Sequence, residues 1–384
     1  MKRAIIVAAL LAVMGALAYV WQSAGAIGPA LPLRLIGDVP LTGNATRFDY
    51  ASVDSRRSVL WLAHMGDGAV EAFDIRANRV TSTIPFSPNA SPRGILTTHD
   101  EVYVAAQGLS AVVVLNAGGK LVATVPAGDV DGLAYDPNTQ RVFVSDESGG
   151  RDVAIDARTH AVVGSVVLGG EAGNTQYDAS SRHIFVGVET KNELAEIDPA
   201  TLAIVRRYAL PGCISSHSVA IDARARAAYV GCQDNARLVR LDLRTGRVTG
   251  SGGVGIGVDV LALDPGLHRL YTGSESGVVS VYDVANGRLQ RIAQAYLELH
   301  AHVVAVDPAT HRVYFPLQSV RGKPVLRIME PNDHATTTGG AESIAPSEVL
   351  SASSCAGPMA AETSSSVCSI EATIATRRRL PLAV

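Results

Sequence analysis

The sequence predicts an all-β protein, a seven-bladed β-propeller whose last blade is closed by an N-terminal strand. Three observations lead there. An aspartate closes a short apolar run at Asp54, Asp136, Asp178, Asp222, Asp264 and Asp307, about 42 residues apart, and Thr98 takes its place in a second unit with a shorter turn. A second set, Asp74, Asn116, Asp156, Asp198, Asp242 and Asp283, runs in step with the first. The last unit holds only three runs of its own, at 303–306, 312–315 and 324–329, while an unclaimed run at 33–41 precedes the first unit. Adding that run to the last sheet closes the ring and removes the open edges that would template aggregation.

The unit reads most clearly at 258–289. Val260 to Leu263 is apolar at every position, as expected of a strand buried on both faces. Asp264-Pro265 ends it: the carboxylate can form an Asx-turn, and proline presets φ while removing a ladder donor. Leu270-Tyr-Thr-Gly stops at a Ser-Glu-Ser-Gly turn. Val278 to Tyr282 follows, and Asn286-Gly287 turns the chain into a fourth run. The glycine-rich stretch 252–257 takes the place of a fourth strand and its loop, and it opens no helix, so a phosphate-binding loop is not expected there.

Before the first unit, Lys2-Arg3, an apolar run and Ala24-Gly25-Ala26 make 1–26 a signal peptide, or an uncleaved anchor through residues 4–21. The body is therefore expected to be exported, periplasmic or extracellular, where disulfides are permitted. After the last unit the pattern stops, and the Ser/Thr/Ala-rich stretch 332–384 reads as a disordered tail. The propeller is thus expected over 33–331. A net charge of −3 and the lack of a basic stripe argue against nucleic acid as a partner. None of the four cysteines sits in metal-ligand spacing. Cys213, in a loop entering a first strand, and Cys232, at the end of the following strand, fall on one face and are expected to pair.

Segments such as Val142-Phe-Val-Ser, Tyr229-Val-Gly-Cys and Leu270-Tyr-Thr-Gly, each followed by a Val-x-x-Asp strand or a variant, resemble the YVTN repeat. The turns Asp136-Pro-Asn-Thr-Gln-Arg and Asp307-Pro-Ala-Thr-His-Arg fit the same pattern. On these motifs the chain resembles the YncE-like family of exported seven-bladed propellers. That resemblance implies a fold and a compartment and very little chemistry.

Chemistry is sought in the rings that propeller geometry imposes. First strands begin, and second strands end, at one face of the disc. Five residues before each first-strand aspartate, allowing for the shorter second unit, the sequence reads Asp49, Arg93, Asp131, Gly173, His217, Asp259 and His302. Six of these seven are ionisable in strands that are otherwise apolar, and burying such groups without partners is costly. A second ring, at the ends of the second strands, contains Glu147, Glu189 and Glu275, with His64 one position earlier in its strand.

Two readings of the rings follow. In one, the channel mouth binds a small polar ligand or a divalent metal, with His217 and His302 as nitrogen donors and Asp131 and Asp259 as oxygen donors. In the other, each group hydrogen-bonds the neighbouring blade and holds the ring together. The leading expectation is a non-catalytic binding module for a small ligand or an exported protein partner. The alternative is a cation-assisted propeller hydrolase or lactonase acting at the channel mouth.

Overall fold

Seven four-stranded antiparallel sheets follow one another along residues 30–332, the part of the chain that the computed structural model describes. The signal segment expected at 1–26 lies outside the described residues, as does the tail expected at 332–384 apart from Asn332. Blades 1 to 6 span 51–85, 92–126, 130–167, 172–209, 216–253 and 258–296. Blade 7 combines three strands within 305–331 with Leu33–Pro40, which pairs antiparallel with Lys323–Pro331 in the register Leu33↔Pro331 to Pro40↔Val325. Arg327 grips Asp38 across that seam through two hydrogen bonds, at 2.7 and 2.6 Å. Among the described residues the only helical segments are five single 3-10 turns.

The recurrent aspartates have a local physical cause. Asp54 Oδ1 accepts the backbone N–H groups of Arg56 and Arg57, both at 3.1 Å. Asp264 does the same for Gly266 and Leu267, and Asp242 for Arg244 and Thr245. The carboxylate thereby satisfies amides that the turn leaves free of the ladder. Four residues past each first-strand aspartate, Ser58, Gln140, Arg182, Arg226, His268 and His311 enter the left-handed region at φ 52–62° to start the next strand. In blade 2 the Thr98 hydroxyl takes over, accepting the Glu101 N–H at 3.3 Å.

Seven apolar clusters fill the seven interfaces between blades, the last joining blade 7 to blade 1. Each second strand supplies an aromatic side chain: Trp61, Tyr103, Phe143, Phe185, Tyr229, Tyr271 and Tyr314 are all buried. Two expectations need correction. Arg247–Gly253 is a regular fourth strand, so the glycine run ends a strand instead of replacing one. Leu261 and Leu263 are only half-buried, because inner strands face the central channel on one side.

Candidate functional site

The ring residues owe their position to a repeated irregularity. In blades 2 to 6 the pairing of the first and second strands slips one or two residues after the first strand begins: between Pro92 and Ile95, Val130 and Leu133, Ala172 and Thr175, Ser216 and Ser218, and Val258 and Leu261. The first residue released from the ladder is Arg93, Asp131, Gly173, His217 or Asp259. A bulge of this kind bends the strand and re-aims one side chain. Asp49 and His302 stand at the matching place in blades 1 and 7, just before their short first strands.

The six ionisable side chains meet at one mouth of the channel. A cavity of about 350 Å³ there is lined by Asp49, Arg93, Asp131, His217 and Asp259, together with Arg47 and Glu147. His217 is the hub: Nε2 lies 3.2 Å from Asp259 Oδ1 and 4.0 Å from Asp131 Oδ2, and Nδ1 donates to Glu189 at 2.7 Å. His302 is fully buried. Its Nδ1 donates to the His300 carbonyl at 2.9 Å, while Nε2 faces Asp49 at 3.7 Å and Asp259 at 3.9 Å and has no hydrogen-bond partner. Donor atoms of Asp49, Asp259 and His302 lie within 4.8 Å of one another. Of the four residues expected to hold a metal, Asp259 and His302 therefore fall in the tightest set. Asp49 completes it, and His217 and Asp131 adjoin it.

Of the second-ring residues, Glu147 pairs with Arg93, Glu189 with His217, and Glu275 with His300 at 2.8 Å and with Arg47. His64 does not reach this layer. Successive strand residues face opposite sides of a sheet, so the position before a ring residue points into the blade. His64 stacks on Phe48 at 4.0 Å between centroids and bonds Thr46 at 3.0 Å and Glu71 at 3.1 Å. The same slot holds Asp146 in blade 3, which accepts the Asp129 N–H at 2.8 Å, and Cys232 in blade 5, bonded to Cys213 with Cα atoms 5.1 Å apart. Three chemistries thus do one job, tying down the loop that enters a first strand.

Several residues of the site carry no periodic signal. Arg47, in the loop before blade 1, reaches Asp49 at 2.9 Å, Asp259 at 3.4 Å, and Glu275. The Tyr50 hydroxyl donates to Asn174 across the channel, joining blade 1 to blade 4. Both also line the cavity of about 360 Å³ deeper in the channel, so the pair forms a floor beneath the mouth.

The charges polarise one another. Burial works against the charged form of His217, yet Asp259 and Glu189 outweigh it and hold its pKa well above the ordinary imidazole value. Burial, with the Asp49 and Asp259 charges, pushes Asp131 up to about 7 against the pull of His217 and Arg93. Burial would also raise Asp49, but His302 and Arg47 keep it below the usual range. Burial lowers and the two aspartates raise His302, and the net shift is upward. The mouth is thus a water-restricted cup with excess carboxylate and one buried imidazole nitrogen without a hydrogen-bond partner. Such a cup can take a proton or a cation.

No family model matches the chain, and no curated protein matches its sequence. Solved structures do resemble it. Virginiamycin B lyase from Staphylococcus aureus superposes with a TM-score of 0.65 at 12% identity, covering 77% of this chain and 99% of that one. The WD40 repeats of RRP9 give 0.66 at 10%, covering 78% and 100%. Kuenenia stuttgartiensis hydrazine synthase gives 0.63 at 14%, covering 77% and 99%. At such identities the likeness establishes the propeller fold and nothing about chemistry.

Proposed function

We propose that this chain is an exported, YncE-like propeller binding module whose channel mouth takes a small polar ligand through a divalent cation. Asp49, Asp259 and His302 form the cation set, with His217 and Asp131 beside it. The observation that carries the reading is the His302 Nε2 atom: it is buried, has no hydrogen-bond partner, and is aimed between two carboxylates. The backbone carbonyl holds Nδ1–H, so Nε2 is the nitrogen that would ligate once its proton is displaced, the outer arrangement typical of metal-binding histidines. A mixed nitrogen and carboxylate set suits a transition ion better than calcium. The YVTN-type repeats and the disulfide fit an exported relative of that family. Propellers such as the WD40 neighbours also serve as protein scaffolds, so a protein partner on the rim is compatible with this site.

A second reading, a cation-assisted hydrolase, is favoured by Asp131. A carboxyl held near 7 beside a cationic histidine can give or take a proton at neutral pH. Titration calorimetry of Zn2+ and Mn2+ into the purified chain tests the common core of both readings. The expected result is one saturable site that tightens as pH rises, because the metal displaces a proton from His302, and that is lost in His302→Ala. A ring that only staples the blades gives no saturable uptake, and His302→Ala then merely melts earlier.

A further inference from the structure

On the opposite face, between blades 5 and 6, the turns enclose a cavity of about 600 Å³ lined by Arg224, Arg240, Arg244 and His268, with Asp222 and Asp242. Arg240 sits in the third strand of blade 5 and is only 5% exposed. Its Nη1 donates to Thr249 Oγ1 at 2.5 Å, its Nε is buried without a partner, and no carboxylate among the described residues forms an ion pair with it. The two aspartates spend Oδ1 on their own turns: Asp222 accepts the Ala225 N–H, and Asp242 those of Arg244 and Thr245.

The other blades show what is unusual here. The same third-strand slot, opposite the second-strand aromatic, holds Ala72, Val114, Ala154, Glu196, Val281 and Ile328. Where the slot is charged elsewhere, the charge is answered on the spot. Glu196, the only other charged residue in the slot, bonds His183 at 2.6 Å and the Tyr208 hydroxyl at 2.6 Å. Of the two cross-strand neighbours of Arg240, Gly250 on the outer side offers no side chain, and Tyr229 on the inner side offers a neutral hydroxyl and no charge. A buried guanidinium without a counter-charge is expensive, and a carboxylate or phosphate matches its fork of donors.

We infer that this cavity is a binding site for a small oxyanion, a carboxylate or a phosphate monoester, which completes the ion pair that Gly250 leaves open. Arg240 grips the anion at the inner end, and Arg224, Arg244 and His268 surround it at the turns. The site is independent of the channel mouth, so neither proposal stands or falls with the other.

Inorganic phosphate and, separately, benzoate titrated into the full chain against a chloride background test it. Saturable binding of at least one is expected, and which of the two binds identifies the anion class. Gly250→Asp supplies in cis a carboxylate on the strand beside Arg240. It should weaken binding at least about tenfold, the loss of one charge-assisted hydrogen bond, while raising Tm by about 2–4 °C. Arg240→Met, which removes the charge and keeps the bulk, should also abolish binding while the chain stays folded. Absence of saturable binding of either anion up to about 10 mM overturns the proposal, as does binding of wild-type strength in either variant.

Discussion

At one end of each inner strand an aspartate or threonine turns back on its own backbone, and at the other end the ring side chains reach toward different blades. Asp136 spends its carboxylate on Asn138 and Thr139, two and three residues away. Asp259 lies against His217 of blade 5 and against Arg47 from the loop before blade 1. Both are buried aspartates in the same kind of strand. The first repeats around the disc because every blade needs the same turn. The second belongs to a ring whose members differ from blade to blade, as expected where one combined surface is built from seven unequal contributions.

The comparison can be broken by substitution. Asp259→Ala leaves His217 and Arg47 without their shared carboxylate in a buried setting and should cost about 3–5 kcal/mol in denaturant unfolding. Asp136→Ala leaves turn amides and one hydroxyl unsatisfied and should cost only about 1–2 kcal/mol. If the two losses are equal or reversed, the mouth is no more integrated than a turn.

A pH titration sharpens the comparison with a smaller effect. In the unfolded chain Asp131 releases its proton near 3.9, whereas in the folded chain it holds it up to about 7. The folded state therefore binds more protons between these values, and its stability must fall as pH rises through that window. Asp131→Asn should flatten this part of the pH–stability curve. His217 acts at higher pH: its raised pKa contributes stability that is complete below about 6.5 and is lost as pH climbs through the elevated folded value. A wild-type curve that matches the Asp131→Asn curve between pH 4 and 7 would remove the case for a shared proton at the mouth.

The same contrast explains how much the sequence could tell. Strand ends, blade closure by Leu33–Pro40 and the Cys213–Cys232 bridge were legible because turn chemistry and alternation act within a few residues. Asp49, Arg93, Asp131, His217, Asp259 and His302 were legible by counting from the turns, since strand geometry carries a side chain a fixed distance from its aspartate. Arg47, Tyr50 and Asn174 were not. Arg47 lies in an aperiodic loop, and the Tyr50–Asn174 contact joins residues far apart in sequence across the channel. His64 was placed by the same counting, but one residue out of phase, which in a strand means the opposite face. Arg240 also escaped notice, because its significance rests on what Gly250 lacks.

Arg47 offers the most direct test of the central claim. Its guanidinium lies between Asp49 and Asp259 and reaches Glu275, close to where a divalent ion held by Asp49, Asp259 and His302 would sit, and its side chain is about one-third exposed. If the mouth is a cation site, arginine is the competing charge, and Arg47→Ala should bind Mn2+ at least about tenfold more tightly than the wild type. Unchanged or weaker Mn2+ binding in that variant, with the fold intact, would contradict the account and leave the ring as a staple between blades.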